Sequence, residues 1–185
     1  MQGVQRESVL ELLEAVGLAI GLAAVIILFV AQSFLVQGHS MEPTLHNGER
    51  LLVDKLSYRF RSPERGEIVV FRVPTDPSRK FIKRIIGVPG DMLEFQGGRV
   101  LLNGRPLQES YARGPTQSQV ARTVVPPGRY FVLGDNRLNS DDSRFDDVGF
   151  IPRDAIIGRA LLIYWPLYRA SLVQVPATFA SAARP

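Results

Sequence analysis

Hydrophobic and polar positions divide the chain into an apolar segment and a strand-rich remainder. From Ala15 to Gly38, 24 consecutive residues carry no charge, and positions 15–36 are mostly Ala, Val, Ile, Leu, Gly and Phe. About 20 such residues cross the roughly 30 Å hydrocarbon core of a bilayer. The pattern therefore predicts an uncleaved single-pass transmembrane helix over residues 15–36, after a short flank over residues 1–14. The alternative is a buried core helix, which would need a helical bundle around it.

The remainder consists of short runs with strand character, separated by turn residues such as Asn47-Gly48, Gly97-Gly98 and Asn103-Gly104. Strands are predicted over residues 49–56, 67–73, 80–88, 92–95, 99–102, 105–107, 123–125, 130–133 and 156–164. The polar residues 109–122 predict a loop, and residues 179–185 predict a frayed end. The expected fold is an all-β domain of antiparallel sheets, sandwich or barrel-like, over residues 37–168, followed by a tail over residues 169–185.

Charge and composition narrow the function only a little. The net charge of +4 fits contact with anionic lipid head groups and fits a solvated arginine-rich surface equally well. The flank before the apolar segment carries −2, but long domains cross membranes largely regardless of charge, so orientation stays open. The absence of cysteine fits an oxidising exterior. Two histidines without cysteine do not form metal-ligand spacing. A solvated acidic loop is predicted for Asp141, Asp142, Asp146 and Asp147, and the alternative is that these carboxylates attract a cation.

A serine at the end of the apolar segment, Ser40, is a candidate nucleophile if a base can take its proton. His39 is its neighbour, and adjacent side chains of an extended chain point to opposite faces. His46 lies in a predicted turn and is expected at the surface. A Ser-His-Asp triad is therefore poorly supported.

Lysine is the better candidate base. Of 22 basic residues only three are lysine, and one of them, Lys83, lies in an apolar predicted strand where Phe81 and Ile85 share its face. A desolvated lysine can lose its proton near neutral pH, whereas arginine stays protonated. The alternative is a lysine that keeps its amine in water at a strand edge.

Four blocks of sequence resemble the motif set of the bacterial type I signal (leader) peptidases of the S26 family. They occur in the family's order behind the apolar segment, and they are SMEPTL (40–45), RGEIVVF (65–71), KRIIGVPGD (83–91) and GDNRLNSDDSR (134–144). The resemblance implies a membrane-anchored Ser–Lys endopeptidase on an all-β scaffold. Such an enzyme removes signal peptides from exported preproteins after small-x-small sites.

The resemblance also implies a role for individual residues. Ser40 would be the nucleophile and Lys83 the general base, with Ser140 orienting the lysine amine by a hydrogen bond. A supporting salt-bridge set is implied for Asp142, Arg144 and Arg65. The backbone N–H of Ser40 would stabilise the oxyanion. Gly38 stands where some members have a serine, and it would either supply a second backbone N–H or simply admit the substrate. A second departure from the family, Leu138 in place of a common acidic residue, carries no mechanistic inference.

Substrate and location are implied in the same way. Shallow pockets for small residues before the cut would be lined by Phe34, Val36, Met41, Val70 and Ile82. An extended peptide would add as a strand beside Ser40 and Lys83. The implied location is the plasma (inner) membrane, single-pass, with the catalytic domain extracytoplasmic. The expected partners are preprotein signal peptides, the lipid bilayer and the secretion machinery, with no cofactor, metal or nucleic acid.

Two other functions compete with this one. A cytoplasmic self-cleaving Ser–Lys repressor peptidase would be expected to carry a DNA-binding domain where this chain has its apolar segment. A non-enzymatic, membrane-anchored β module would bind anionic lipid or nucleic acid through clustered arginines interleaved with aromatics. The arginines of this chain are scattered along the sequence instead.

Overall fold

The computed structural model describes residues 2–25, 31–118 and 122–181 of the 185-residue chain. Helix α1 (Gln2–Val25) comes first, and strand β1 (Ala31–Leu35) follows. Within the described ranges, no helix is both long enough and apolar enough to cross a membrane. Positions 26–30 of the predicted span lie outside the described residues.

The carboxy-terminal end of the predicted span is wrong, because residues 31–35 are a strand. Apolar residues alone do not distinguish a helix from a buried strand. β1 pairs antiparallel with β2 (Arg50–Asp54), from Ala31 opposite Asp54 to Leu35 opposite Arg50. The β domain therefore begins before residue 37.

The rest of the described chain is predominantly antiparallel β structure, as predicted. The remaining strands are β3 (Ile68–Val73), β4 (Asp76–Gly87), β5 (Met92–Gln96), β6 (Arg99–Leu102), β7 (Arg105–Pro106), β8 (Arg122–Val124), β9 (Arg129–Leu133), β10 (Ile151–Pro152), β11 (Ile156–Trp165) and β12 (Ser171–Leu172). A short helix α2 (Thr178–Ser181) follows. Single 3₁₀ turns lie at Ser57–Arg59, Arg153–Ala155 and Leu167–Arg169.

These strands form two sheets. The larger has the order β1-β2-β11-β3-β4-β9-β10, with β12 added on β11, and the smaller has the order β7-β6-β5-β8. Burial of alternate side chains produces three apolar clusters. One of them joins the sheets through residues such as Phe95, Val100 and Phe131, and another lies under the Ser40 loop and includes Met41 and Leu45.

Strand β4 positions the candidate base. It begins at Asp76, before the start of the predicted strand at residue 80, and it pairs with β3 so that Lys83 lies opposite Val69. On its other edge β4 pairs with β9 only from Arg84 onward. The preceding residues of β4 therefore have no strand partner on that edge in the described part of the chain, and they face the segment that follows β1.

The predicted tail is also wrong for most of its described residues. Arg169 donates to Glu49 over 2.8 Å, β12 extends the large sheet, and Phe179 is buried. The ring of Phe179 packs directly against Gly66. A larger residue at position 66 would clash with this ring, because its Cβ would lie 2.5 Å away. Apolar contact with the domain, which local sequence does not reveal, orders this segment.

Candidate active site

The Ser40 loop connects β1 to β2 and is fixed at both ends. Val36 N–H donates to Glu49 O over 2.8 Å, and Gly48 N–H donates to Val36 O over 2.9 Å. Gly38 has φ +89°, a left-handed conformation that favours glycine. The buried side chain of Met41 anchors the residues after Ser40 in the apolar core. Ser40 itself lines a cleft of about 270 Å³.

The decisive contact is between the two residues singled out in the sequence. Lys83 Nζ donates a hydrogen bond to Ser40 Oγ over 2.8 Å, although 43 positions separate them in the chain. Lys83 is only 4% exposed, which excludes an amine held out in water. The Phe81 ring covers the amine, with its centroid 4.9 Å from Nζ.

Burial changes the protonation equilibrium of the amine. Removal of the ammonium from water lowers the pKa of Lys83 to about 8, against the opposing effect of the carboxylates of Asp142, Asp141 and Asp135. A pKa of about 8 leaves roughly one amine in ten neutral at pH 7. The fold therefore supplies a hydroxyl and a partly neutral amine at hydrogen-bond distance.

The predicted salt bridge between Asp142 and Arg144 is present. Arg144 Nε donates to Asp142 Oδ1 over 2.8 Å and Nη2 to Oδ2 over 3.0 Å. Gly134 N–H also donates to Asp142 Oδ2, over 3.0 Å. Asp142 is fully buried, so the prediction of a solvated acidic loop is wrong for this residue. Asp141, Asp146 and Asp147 are exposed.

Ser140 lines the cleft but does not make the implied hydrogen bond. Its Oγ is buried and has no hydrogen-bond partner among the described residues. The hydroxyl packs against Gly134, where a Cβ would overlap it. The carbonyl of Ser140 instead accepts from Arg144 Nη2 over 3.4 Å.

Two further assignments need correction. Arg65 does not join the Asp142–Arg144 pair but donates to another carboxylate, with its Nε 2.6 Å from Asp91 Oδ2. The N–H of Gly38 is already donated to Asn47 Oδ1 over 2.9 Å. Gly38 therefore does not present a free N–H as a second oxyanion donor here.

The predicted pocket residues separate into two groups. Val36, Met41 and Ile82 line the cleft. Val70 is completely buried in the apolar core and Phe34 packs against that core, and neither is among the residues lining the cleft. On an inner strand such as β3 both faces are buried, so an apolar residue cannot be recognised as a pocket residue from its sequence.

The imidazole rings of both histidines face Glu42, although His39 also lines the cleft. His39 Nδ1 is 2.7 Å from Glu42 Oε1, and its side chain is largely exposed. The hydrogen bond from His39 lowers the pKa of Glu42. His46 is partly exposed and lies 3.9 Å from the same carboxylate.

A buried ion pair beneath Ser40 is not evident from the residues alone. Arg84 and Asp135 are both almost inaccessible, and Arg84 donates to the carboxylate through Nε over 2.8 Å and Nη2 over 2.7 Å. Thr44 Oγ1 donates to Asp135 Oδ2 over 2.5 Å, and Arg84 Nη1 donates to Gly66 O over 2.7 Å. Thr44, Gly66, Arg84 and Asp135 each lie in one of the four sequence blocks that resemble the family. Membership of those blocks is the sequence feature that could have indicated this group. The pair connects the Ser40 loop to β4 and to the segment after β9.

Comparison with known proteins identifies the family. The model of the family described as signal peptidase, peptidase S26, matches residues 9–165. The chain belongs to this family. The resemblance drawn from the four sequence blocks is thereby confirmed, and so is the expectation of an enzyme, a serine peptidase of the signal peptidase I kind. The alternative of a non-enzymatic β module is therefore wrong.

Two relatives of similar sequence agree with this assignment. A signal peptidase I of Leptolyngbya laminosa is 42% identical over 92% of this chain and 86% of its own length. A probable signal peptidase I-2 of Synechocystis is 46% identical over 86% of this chain and 72% of its own length. A crystal structure of a signal peptidase I from Enterococcus faecalis V583 aligns with a TM-score of 0.45 at 31% identity, over 54% of this chain and 97% of that one.

Proposed function

We propose that this S26 peptidase cleaves the signal peptides of exported preproteins with Ser40 as nucleophile and Lys83 as general base. The observation that carries the proposal is the 2.8 Å hydrogen bond from the buried Lys83 amine to Ser40 Oγ. A neutral amine at that position can accept the hydroxyl proton as Oγ attacks the scissile carbonyl. The same ammonium then returns the proton to the leaving amine, and the acyl-enzyme is hydrolysed by water activated at Lys83.

The Ser40 backbone N–H is the proposed oxyanion donor. It makes no hydrogen bond to any described residue, whereas the N–H of Gly38 is occupied by Asn47. Removal of one such donor typically costs about 10²–10³ in rate. The unpaired hydroxyl of Ser140 borders the same cleft. Its proposed role is to hold the Lys83 amine once a substrate has entered.

Recognition of the peptide follows from two neighbouring strand edges. The edge of β4 before Arg84 and the segment after β1 both border the cleft. Unpaired backbone groups of this kind recruit an extended peptide by strand addition. Val36, Met41 and Ile82 would limit the size of the side chains before the cut, which supports the proposed small-x-small preference.

The proposed location is the plasma (inner) membrane, with the amino-terminal apolar segment as a single-pass anchor and the catalytic domain extracytoplasmic. The uncharged residues 15–30, which precede β1, support the anchor. The bilayer would then bring the enzyme to its substrates, and contact with the secretion machinery would take place at the same surface. Resistance of the full chain to alkaline carbonate extraction from membranes tests the anchor. Release into the supernatant would contradict it.

The catalytic proposal is tested with the full chain in detergent and a preprotein substrate. Ser40→Ala and Lys83→Arg should both reduce cleavage to background, because arginine keeps the charge but cannot act as a base. Lys55→Arg is the matched control and should retain cleavage. Mass spectrometry of the products locates the cut, which should follow a small-x-small sequence. Normal turnover by Lys83→Arg would disprove the assignment of the base.

A further inference from the structure

The side chain of Asn136 lies next to the Ser40 loop and hydrogen-bonds to its backbone. Its Nδ2 donates to His39 O over 3.1 Å, and its N–H donates to Ser40 O over 2.9 Å. Asn136 is 6% exposed, so these donors have little access to water. Two consecutive carbonyls of the nucleophile loop are thus held by one residue that is distant in sequence.

The contact with His39 O controls the orientation of the oxyanion donor. The His39 carbonyl and the Ser40 N–H belong to the same peptide unit, which is planar and trans. In such a unit the C=O and N–H bonds point in opposite directions. A hydrogen bond that holds the carbonyl on one side therefore aims the Ser40 N–H to the other side, where no described residue accepts it.

Asn136 is itself held on a rigid support. Its neighbour Asp135 forms the buried ion pair with Arg84, and Arg113 N–H donates to Asp135 O over 2.7 Å. Asn139 N–H donates to Asn136 O over 3.1 Å. Support of this kind keeps a donor in place before the transition state forms, which is what electrostatic stabilisation requires.

We propose that Asn136 is a positioning residue that orients the Ser40 N–H toward the developing oxyanion through the His39–Ser40 peptide. This inference rests on the proposed function. It assigns to Asn136 a stabilisation of the transition state and not of the bound substrate. Loss of its side chain should therefore lower kcat and leave KM unchanged.

The test compares Asn136→Ala with the native chain in a peptide-cleavage assay. We expect kcat to fall by about ten- to a hundredfold, less than the loss from removing a donor outright. KM and the pH at half-maximal activity should stay unchanged, because the Lys83 environment is intact. Val100→Ala, in the apolar cluster between the sheets, is the control for simple destabilisation. It should lower Tm and keep kcat.

A peptide aldehyde ending in Ala-x-Ala provides a second readout. Ser40 Oγ bonds to the aldehyde carbon, the carbonyl π electrons move to the oxygen, and the hydroxyl proton passes to Lys83. The inhibition constant should rise in Asn136→Ala by the same factor as kcat falls. If Asn136→Ala does not fold, Asn136→Ser removes the same contact with a polar replacement and gives the same readouts.

Three outcomes would overturn the inference. A lower Tm with native kcat and native aldehyde affinity would give Asn136 a structural role only. A raised KM with native kcat would make it a substrate contact. If the native chain and Ser40→Ala bound the aldehyde equally well, the proposed function would fail first, and this inference with it.

Discussion

With Lys83 as the proposed general base, the pH dependence of activity should follow from its burial, and Asp141→Asn is the perturbation that tests this. Desolvation lowers the pKa of Lys83 to about 8, while the negative charges of Asp142, Asp141 and Asp135 raise it. Asp142 and Asp135 are buried in ion pairs, but Asp141 is exposed at the cleft. Its replacement therefore removes one charge near the amine without breaking a buried ion pair.

The magnitudes follow from the protonation equilibrium. With a pKa of about 8, the neutral fraction of Lys83 is roughly 1% at pH 6 and roughly 9% at pH 7. The native kcat/KM should therefore rise close to tenfold over that interval and reach half its maximum near pH 8. Because Asp141 is exposed and screened by water, its removal should increase the neutral fraction only about 1.4- to 5-fold at pH 6.

The assay is kcat/KM for a signal-peptide substrate from pH 5.5 to 10, since this parameter reports the free enzyme. Asp141→Asn should move the acid limb to lower pH. Asp147→Asn is the matched control, because it removes the same charge from the same loop and Asp147 contacts Thr75 through its backbone carbonyl only. A flat native profile between pH 6 and 8, or equal shifts in the two variants, would refute the reasoning.

Three further predictions concern stability and packing. Lys83→Met should abolish cleavage but stabilise the fold by about 3 kcal/mol below pH 8, because the folded pKa lies below the unfolded value of 10.5. Between about pH 8 and 10.5 the unfolded wild-type chain binds more protons than the folded one, so the stability of the wild-type protein rises with pH. The difference in stability between Lys83→Met and wild type therefore shrinks over that interval, and urea unfolding at several pH values measures it. Gly134→Ala should abolish cleavage and lower Tm, since a Cβ would lie 2.6 Å from Ser40 O. Arg144→Ala should lower the free energy of unfolding in urea by about 3–5 kcal/mol, because it leaves the buried charge of Asp142 without its partner. Wild-type stability in Gly134→Ala or in Arg144→Ala would contradict the packing described here.

Much of the β domain is predictable from local pattern. The alternating runs and Gly-containing turns place β2, β3, β5, β6, β9 and β11 within a few residues. Strand β1 was missed because it continues an uncharged run, and the start of β4 was missed because Pro77 predicts a turn. The segment around Phe179 was missed because its order comes from packing on Gly66. Each miss involves a distant contact that overrides the local signal.

The candidate site divides in the same way. Lysine scarcity, an apolar strand and four sequence blocks single out Ser40 and Lys83 without any coordinates. They do not reveal that Arg65 pairs with Asp91, that Gly38 donates to Asn47, or that Val70 belongs to the core. An arginine, a backbone N–H or a valine could contact many residues of suitable type elsewhere in the chain. The positions of the strands in the fold determine which of these contacts form.

The sequence by itself determined the kind of chemistry available, because a hydroxyl, an amine and their apolar neighbours are properties of residues. Only the tertiary structure decided whether those groups meet. It brought the amine of β4 to the hydroxyl of the loop after β1 and removed water from around it. A pKa and a hydrogen-bond distance depend on what surrounds an atom in space, and those surroundings come from strands far apart along the chain.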